Sequence, residues 1–232
     1  MNSSHDYRNP PIDRYVPAVE FLLECGYYVV HMGKVVIHPF PIEHPQFIPY
    51  AGSSLRSDFL DVFLYSHSVL AIQGSGSGID TLASIFNKPL STTDGVPLWP
   101  YLHGPNNTGL RVLVPALLED LADGRILSAG EMATTGFLQN QDYKSAGIRI
   151  IPNTPEEILA ATQFALHAMS PNKLNNQPSS KWNEKFWQQY CDSLRDHGWD
   201  DPPHVRACGR SLFIPEVFLE AHSSELFTEN YQ

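Results

Sequence analysis

The residues best suited to chemistry in this 232-residue chain are small ones in one run. Ser68-Val69-Leu70-Ala71-Ile72 reads as an apolar strand, and it runs into Gln73-Gly74-Ser75-Gly76-Ser77-Gly78 before Ile79-Asp80-Thr81. Glycine accepts positive φ and has no side chain in the way, so such a run turns tightly and approaches an anion closely. A Gly-rich turn between a strand and a helix aims backbone N–H groups at that anion. The hydroxyls of Ser75 and Ser77 add donors for phosphate oxygens. The run is neither GxGxxG nor a Walker loop, and an ordinary strand-to-helix turn has the same composition.

Carboxylates and imidazoles complete the candidate set. Asp61 lies one turn inside the helix that precedes this strand, so capping explains it less well than it explains Asp58. A carboxylate at such an edge accepts hydrogen bonds from ribose hydroxyls or a base amine. Asp80 opens the next helix and suits its dipole; so near a diphosphate it would repel, which leaves phosphate contact to the amides and serines. His38 and His44 stand six apart in a proline-rich loop and read as surface residues. GxSxG and HExxH are absent, and Cys25, Cys191 and Cys208 match no zinc spacing, so no metal or cofactor is expected.

These residues need elements to hold them. Tyr15, Val19, Leu22 and Leu23 predict a helix over Ile12 to Cys25, closed by Gly26. Short strands are expected at Tyr27–His31 and Phe47–Tyr50, then a helix over Ser57 to His67, the strand Val69–Ile72, a helix over Ile79 to Asn87 and the strand Leu90–Thr93. This alternation argues for an α/β fold, a parallel sheet with crossover helices. The loops at His31–Lys34, Gly74–Gly78 and Thr92–Gly95 are expected to meet beyond the strands' carboxyl ends, where such sheets bind ligands. That brings in His31, Gly33 and Asp94. Leu110–Val114 reads as a strand, Leu117–Leu121 as a helical turn, and Gly147–Ile151 as the sheet's last strand. Ser128-x-x-Glu131 and Thr154-Pro155-Glu156-Glu157 carry helix-start signals. The expected organisation is a flexible entry at 1–11, a binding domain at 12–169, a linker at 170–180 and a helical C-terminal extension at 181–232, with Trp182, Phe186, Trp187 and Tyr190 as its core.

Composition narrows the partners. Net charge is −10 with 15 Lys and Arg, which argues against a nucleic-acid backbone. No run reaches the ~18 apolar residues of a membrane span, and residues 1–20 lack the apolar core of a signal peptide. With no paired-cysteine pattern, the expected compartment is the cytoplasm.

In order along the chain, Arg8-Asn9, Tyr15-x-x-Ala18, Gly26-Tyr27, Val30-His31-Met32-Gly33, Ser57-Asp58-Phe59-Leu60-Asp61, Ser77-Gly78, Phe86-x-Lys88-Pro89, Leu127-Ser128-x-x-Glu131 and Asn153-Thr154-Pro155-Glu156-Glu157 resemble a bacterial family of glycosyltransferases. The family is similar to GT-B enzymes of the fucosyltransferase-like branch. The resemblance implies a Rossmann-like sheet with helices on both faces, no required metal and a nucleotide-sugar donor in a cleft. It places Ser75, Ser77 and Gly78 at the donor diphosphate, Asp61 at base or ribose, and Met32-Gly33 on the cleft wall; the meeting loops add Gly74, Gly76, His31 and Asp94 to the candidate nucleotide-sugar-binding residues. His31 departs from the family's arginine, so a permanent charge is replaced by a titratable ring. The resemblance implies the C-terminal, donor-binding half of such an enzyme, in surface-polysaccharide synthesis, with a partner chain or second copy supplying the other wall. The alternatives are a non-catalytic nucleotide or sugar-phosphate module, and an interaction domain built on the aromatic tail helix.

Overall fold

The computed structural model describes residues 11–34, 36, 38–75, 80–98, 101, 109–137, 139–169, 180–198 and 212–227. A 3-10 turn at Ile12–Tyr15 leads into α1 (Val16–Glu24), with Pro17 in the first turn where no hydrogen bond is lost. Gly26 ends it at φ +83, a conformation glycine takes without a Cβ clash. β1 (Val29–Val30) and β2 (Phe47–Ile48) pair parallel. The Ser57 hydroxyl caps α2 (Asp58–His67), accepting from the Leu60 N–H at 3.1 Å. There follow β3 (Ala71–Gln73), α3 (Asp80–Ile85), β4 (Leu90–Gly95), β5 (Arg111–Pro115) and β6 (Leu117–Asp120). Then come α4 (Ala129–Thr134), α5 (Asn140–Ser145), β7 (Ile148–Ile151), α6 (Pro155–Ala168) and α7 (Lys181–Asp196). β8 (Leu212–Phe213), α8 (Glu216–Ala221) and α9 (Ser223–Leu226) complete the described elements.

The chain is an α/β protein. Its main sheet is four-stranded and parallel, in the order β3-β4-β5-β8. Helices flank both sides, and β3 shows how. Ala71 packs with Tyr65 of α2 and Ala83 of α3, whereas Ile72 packs with Ala18 of α1 and Ile158 of α6. Neighbouring strand residues point to opposite faces, so each helix pair covers one face. β4 is buried at every position, as a central parallel strand must be.

Three expectations change. Leu117–Leu121 is not a helical turn; Leu117–Asp120 forms β6, and β7 pairs with it antiparallel instead of closing the main sheet. Two leucines followed by two acids carry too little period to separate turn from strand, and the partner strand lies about thirty residues on. The expected loop at Thr92–Gly95 is the end of β4, with an irregular register between Thr92 and Gly95 where Asp94 takes φ +52. The segment after 180 is no appendage. β8 adds to the sheet beside β5, and Phe186, Trp187, Tyr190, Leu212 and Phe218 share one core with Val112, Leu113 and Val114 of β5.

Candidate ligand-binding site

At the carboxyl end of β4 the backbone leaves the ordinary strand conformation at Asp94, and a buried polar knot holds it there. Asp94 is 2% exposed. Arg14, from the 3-10 turn before α1, forks onto it with Nη2 at 3.1 Å from Oδ2 and Nη1 at 3.3 Å from Oδ1. Asn153, just after β7, closes the knot from the other side. Its N–H donates to Asp94 Oδ1 and its Oδ1 accepts from the Asp94 N–H, both at 2.6 Å. The Asn153 carboxamide also donates to the Pro115 carbonyl at the end of β5, 2.9 Å away. Both carboxylate oxygens of Asp94 are engaged, so it positions the strand end instead of reaching outward.

The neighbouring layer is uncharged. The Tyr15 hydroxyl meets Thr93 Oγ1 at 2.7 Å, and Thr93 donates to the Gln73 carbonyl at 3.2 Å. Burial pushes the Tyr15 phenol up to about 12; the bond to Thr93 opposes this and the Asp94 charge adds to it. After β3, Ser75 is 2% exposed. Its hydroxyl donates to the Val96 carbonyl at 2.8 Å and lies 3.0 Å from the Tyr101 hydroxyl. Ser75 therefore ties the chain leaving β3 to the chain leaving β4. Gly74 is half-buried beside it. Gly76, Ser77 and Gly78 lie outside the described residues.

Among the described residues at this edge, Arg14 Nε, the Ser91 hydroxyl and one whole side-chain amide are buried without a hydrogen-bond partner. Gln73, the last residue of β3, buries both atoms of its carboxamide with no hydrogen-bond partner. An unpaired buried amide costs a few kcal/mol, of the order of 1–3 by protein mutation data. Such groups in native proteins call for a water, an ion or a ligand.

A second set gathers around residues 50–51. The Ala51 N–H donates to the His31 carbonyl at 2.7 Å, and a Cβ at Gly33 would sit 3.6 Å from the Ala51 Cβ. The Tyr50 hydroxyl donates to Asp61 Oδ1 at 2.8 Å, and Arg56 Nη2 donates to Asp61 Oδ2 at 2.5 Å. His31 lies edge-on to Phe40, centroids 5.5 Å apart, and burial lowers its pKa, so the ring is neutral at pH 7. A neutral imidazole exchanges hydrogen bonds but does not clamp phosphate. Asp58 is solvent-exposed at the first position of α2 and ion-paired only loosely, 3.6 Å from Arg56.

Of the expected residues, Gly74, Ser75 and Asp94 thus share the carboxyl edge of β3 and β4, and His31, Gly33 and Asp61 share the 50–51 turn. Arg14, Tyr15, Gln73 and Asn153 were not foreseen. Asn153 carried a signal, an Asn before the Thr154-Pro155 helix start; Arg14 carried none, because its partner is eighty residues away. Among the described residues no three His, Cys, Asp or Glu side chains converge as a metal site, and no helix is long and apolar enough to cross a membrane. Comparisons of the chain with protein-family models, with curated proteins and with solved structures find no match.

Proposed function

We propose that this chain is the nucleotide-sugar-binding unit of a glycosyltransferase-like protein, with a Rossmann-like sheet and the donor beyond the carboxyl ends of β3 and β4. The observation that carries this reading is the unpartnered Gln73 carboxamide, next to Gly74 at the end of a parallel strand. Ligands of parallel α/β sheets lie at that end. The amides of 74–78 and the Ser77 hydroxyl take the diphosphate, and Gln73 bonds a phosphate or ribose oxygen. The Asp94 knot and Ser75 fix the ends of β4 and β3 beside it. Asp61 and His31-Met32-Gly33 form the wall toward base and ribose. Transfer breaks the bond between the sugar's anomeric carbon and the diphosphate and forms one to an acceptor oxygen. The donor site's part is to stabilise the leaving diphosphate; the base that takes the acceptor's proton comes from a second wall, in a partner chain or another copy.

A non-catalytic module is the second reading, favoured by one finding. Asp61 and Asp94 are both paired with arginine, and the Ser75 hydroxyl is committed to the backbone. Release of nucleoside diphosphate from a panel of nucleotide-sugars separates the two. Binding with release supports the transferase, binding without release supports the module, and no binding rejects both. As a site test, Gly76→Val abolishes binding while the far-UV circular dichroism stays unchanged.

A further inference from the structure

A helix on a protein surface normally turns a polar face to water, and one that is apolar all round is covered all round. α2 is apolar on both sides. Leu60, Leu64 and Tyr65 point inward, with Tyr65 in the core against Ala83 and Leu90. On the outer side Phe59 is 76% exposed, Phe63 44% and Val62 40%. Phe59, Phe63 and His67 form a ladder of rings, with centroids 6.0 and 4.1 Å apart. Leu55, just before the helix, and Val69, just after it, are exposed too. Single exposed apolar residues need no explanation; a whole helix face of them marks an interaction surface.

The pattern of that face is self-complementary. We propose that it packs against the same face of a second copy, antiparallel, about a two-fold axis between Val62 and Phe63. In this register Val62 meets the partner's Phe63. Phe59, the most exposed ring, meets the partner's Ser66, small enough to receive it. Asp58, whose carboxylate is open to solvent, meets the partner's His67. A parallel pairing would set Asp58 against its own copy. An isologous contact requires this reciprocity. The face carries little net charge, since Asp61 is neutralised by Arg56. A strongly basic partner is therefore not what it fits, and the repulsion of two chains of net charge −10 is screened beyond ~8 Å at physiological salt. One short helix per side is a small interface, so the dimer is weak, with a dissociation constant of the order of 10–100 μM.

Sedimentation equilibrium of the whole chain between ~1 and ~500 μM tests this. The wild-type mass rises from 26.0 kDa toward twice that value over the range. The exposed-face variant Phe59→Lys/Phe63→Lys keeps the wild-type circular dichroism and remains mostly monomeric across the range, its dissociation constant raised at least ~100-fold by loss of four aromatic anchors per dimer. Asp58→Lys, which sets lysine against the partner's His67, weakens association several-fold. A wild type that remains monomeric at the top of the range overturns the proposal and leaves the face to a different protein. A lysine variant that associates as well as the wild type overturns it too.

Discussion

Asp94 is held by an ion pair that is nearly dry, its side chain 3% exposed and that of Arg14 14%. Removing one member strands the other, which costs more than the pair contributes. Arg14→Ala therefore lowers unfolding stability by roughly 3–5 kcal/mol in urea titration. Asp94→Asn in the same chain restores part of that loss, because no buried charge is left alone. Tyr15 gives the residue scale a pH signature. Its folded pKa is raised to about 12 from the ordinary 10. As pH rises above 10, the unfolded chain gives up this proton first, so the folded state binds more protons and stability falls. The loss approaches ~2.7 kcal/mol above pH 12, at about 1.36 kcal/mol for each pH unit between the unfolded and folded pKa. Tyr15→Phe is about 1 kcal/mol less stable than wild type at pH 8, having lost the bond to Thr93. It lacks the alkaline decline, so the two stabilities converge near pH 11. Parallel curves with a constant gap would show that Tyr15 ionises normally in the folded state.

At the element scale, close approach decides the end of β4. A Cβ at Gly95 would stand 2.5 Å from Leu113 Cδ1 and 3.3 Å from the Val114 carbonyl. Leu113 is fully buried and has little room to give way. Gly95→Ala thus costs roughly 1–3 kcal/mol, read from the denaturation midpoint. Helix boundaries were legible in the sequence because caps are local chemistry. Ser57, Ser128 and Thr154 cap their helices, the last two in reciprocal boxes with Glu131 and Glu157. The α/β alternation and the strands at 71–73, 90–95 and 111–115 were legible from their apolar runs. Strand partners were not, since pairing is set by contacts far apart in sequence. Hence β6 and β7 read as a turn and a sheet strand, and β8 went unseen. In the site, Gly74 and Ser75 drew attention to the end of β3. Arg14 and Tyr101, which bond to Asp94 and Ser75 there, carried no signal, because each acts through a distant partner.

At the scale of the molecule, the C-terminal third belongs to the core. α7 packs on α4, where a Cβ at Gly130 would lie 3.5 Å from Ser193 Cβ, and β8 covers the edge of β5. His222 ties α8 back to the start of α6 through Glu157 at 2.7 Å. Truncation after residue 198 removes β8 and the buried Ile214, Phe218, Leu219 and Leu226. At roughly 1.5–3 kcal/mol for each large apolar side chain, that is comparable to the whole 5–15 kcal/mol by which domains are stable. The truncated chain is expected to lose its near-ultraviolet dichroism and cooperative melting; a sharp melt would mean the segment is dispensable after all. The same unit supports the binding reading, because Ser75 is held to Val96 and Asp94 to Asn153, which fixes the ends of β3 and β4 where a ligand would dock. The most direct test is calorimetric titration of wild type and Gly76→Val, side by side, with nucleoside diphosphates and their sugar esters. Wild type is expected to show saturable, one-site binding, with a dissociation constant between ~1 μM and ~1 mM, and the variant none. Equal affinity in both proteins, or no heat from wild type at millimolar ligand, would contradict the binding reading.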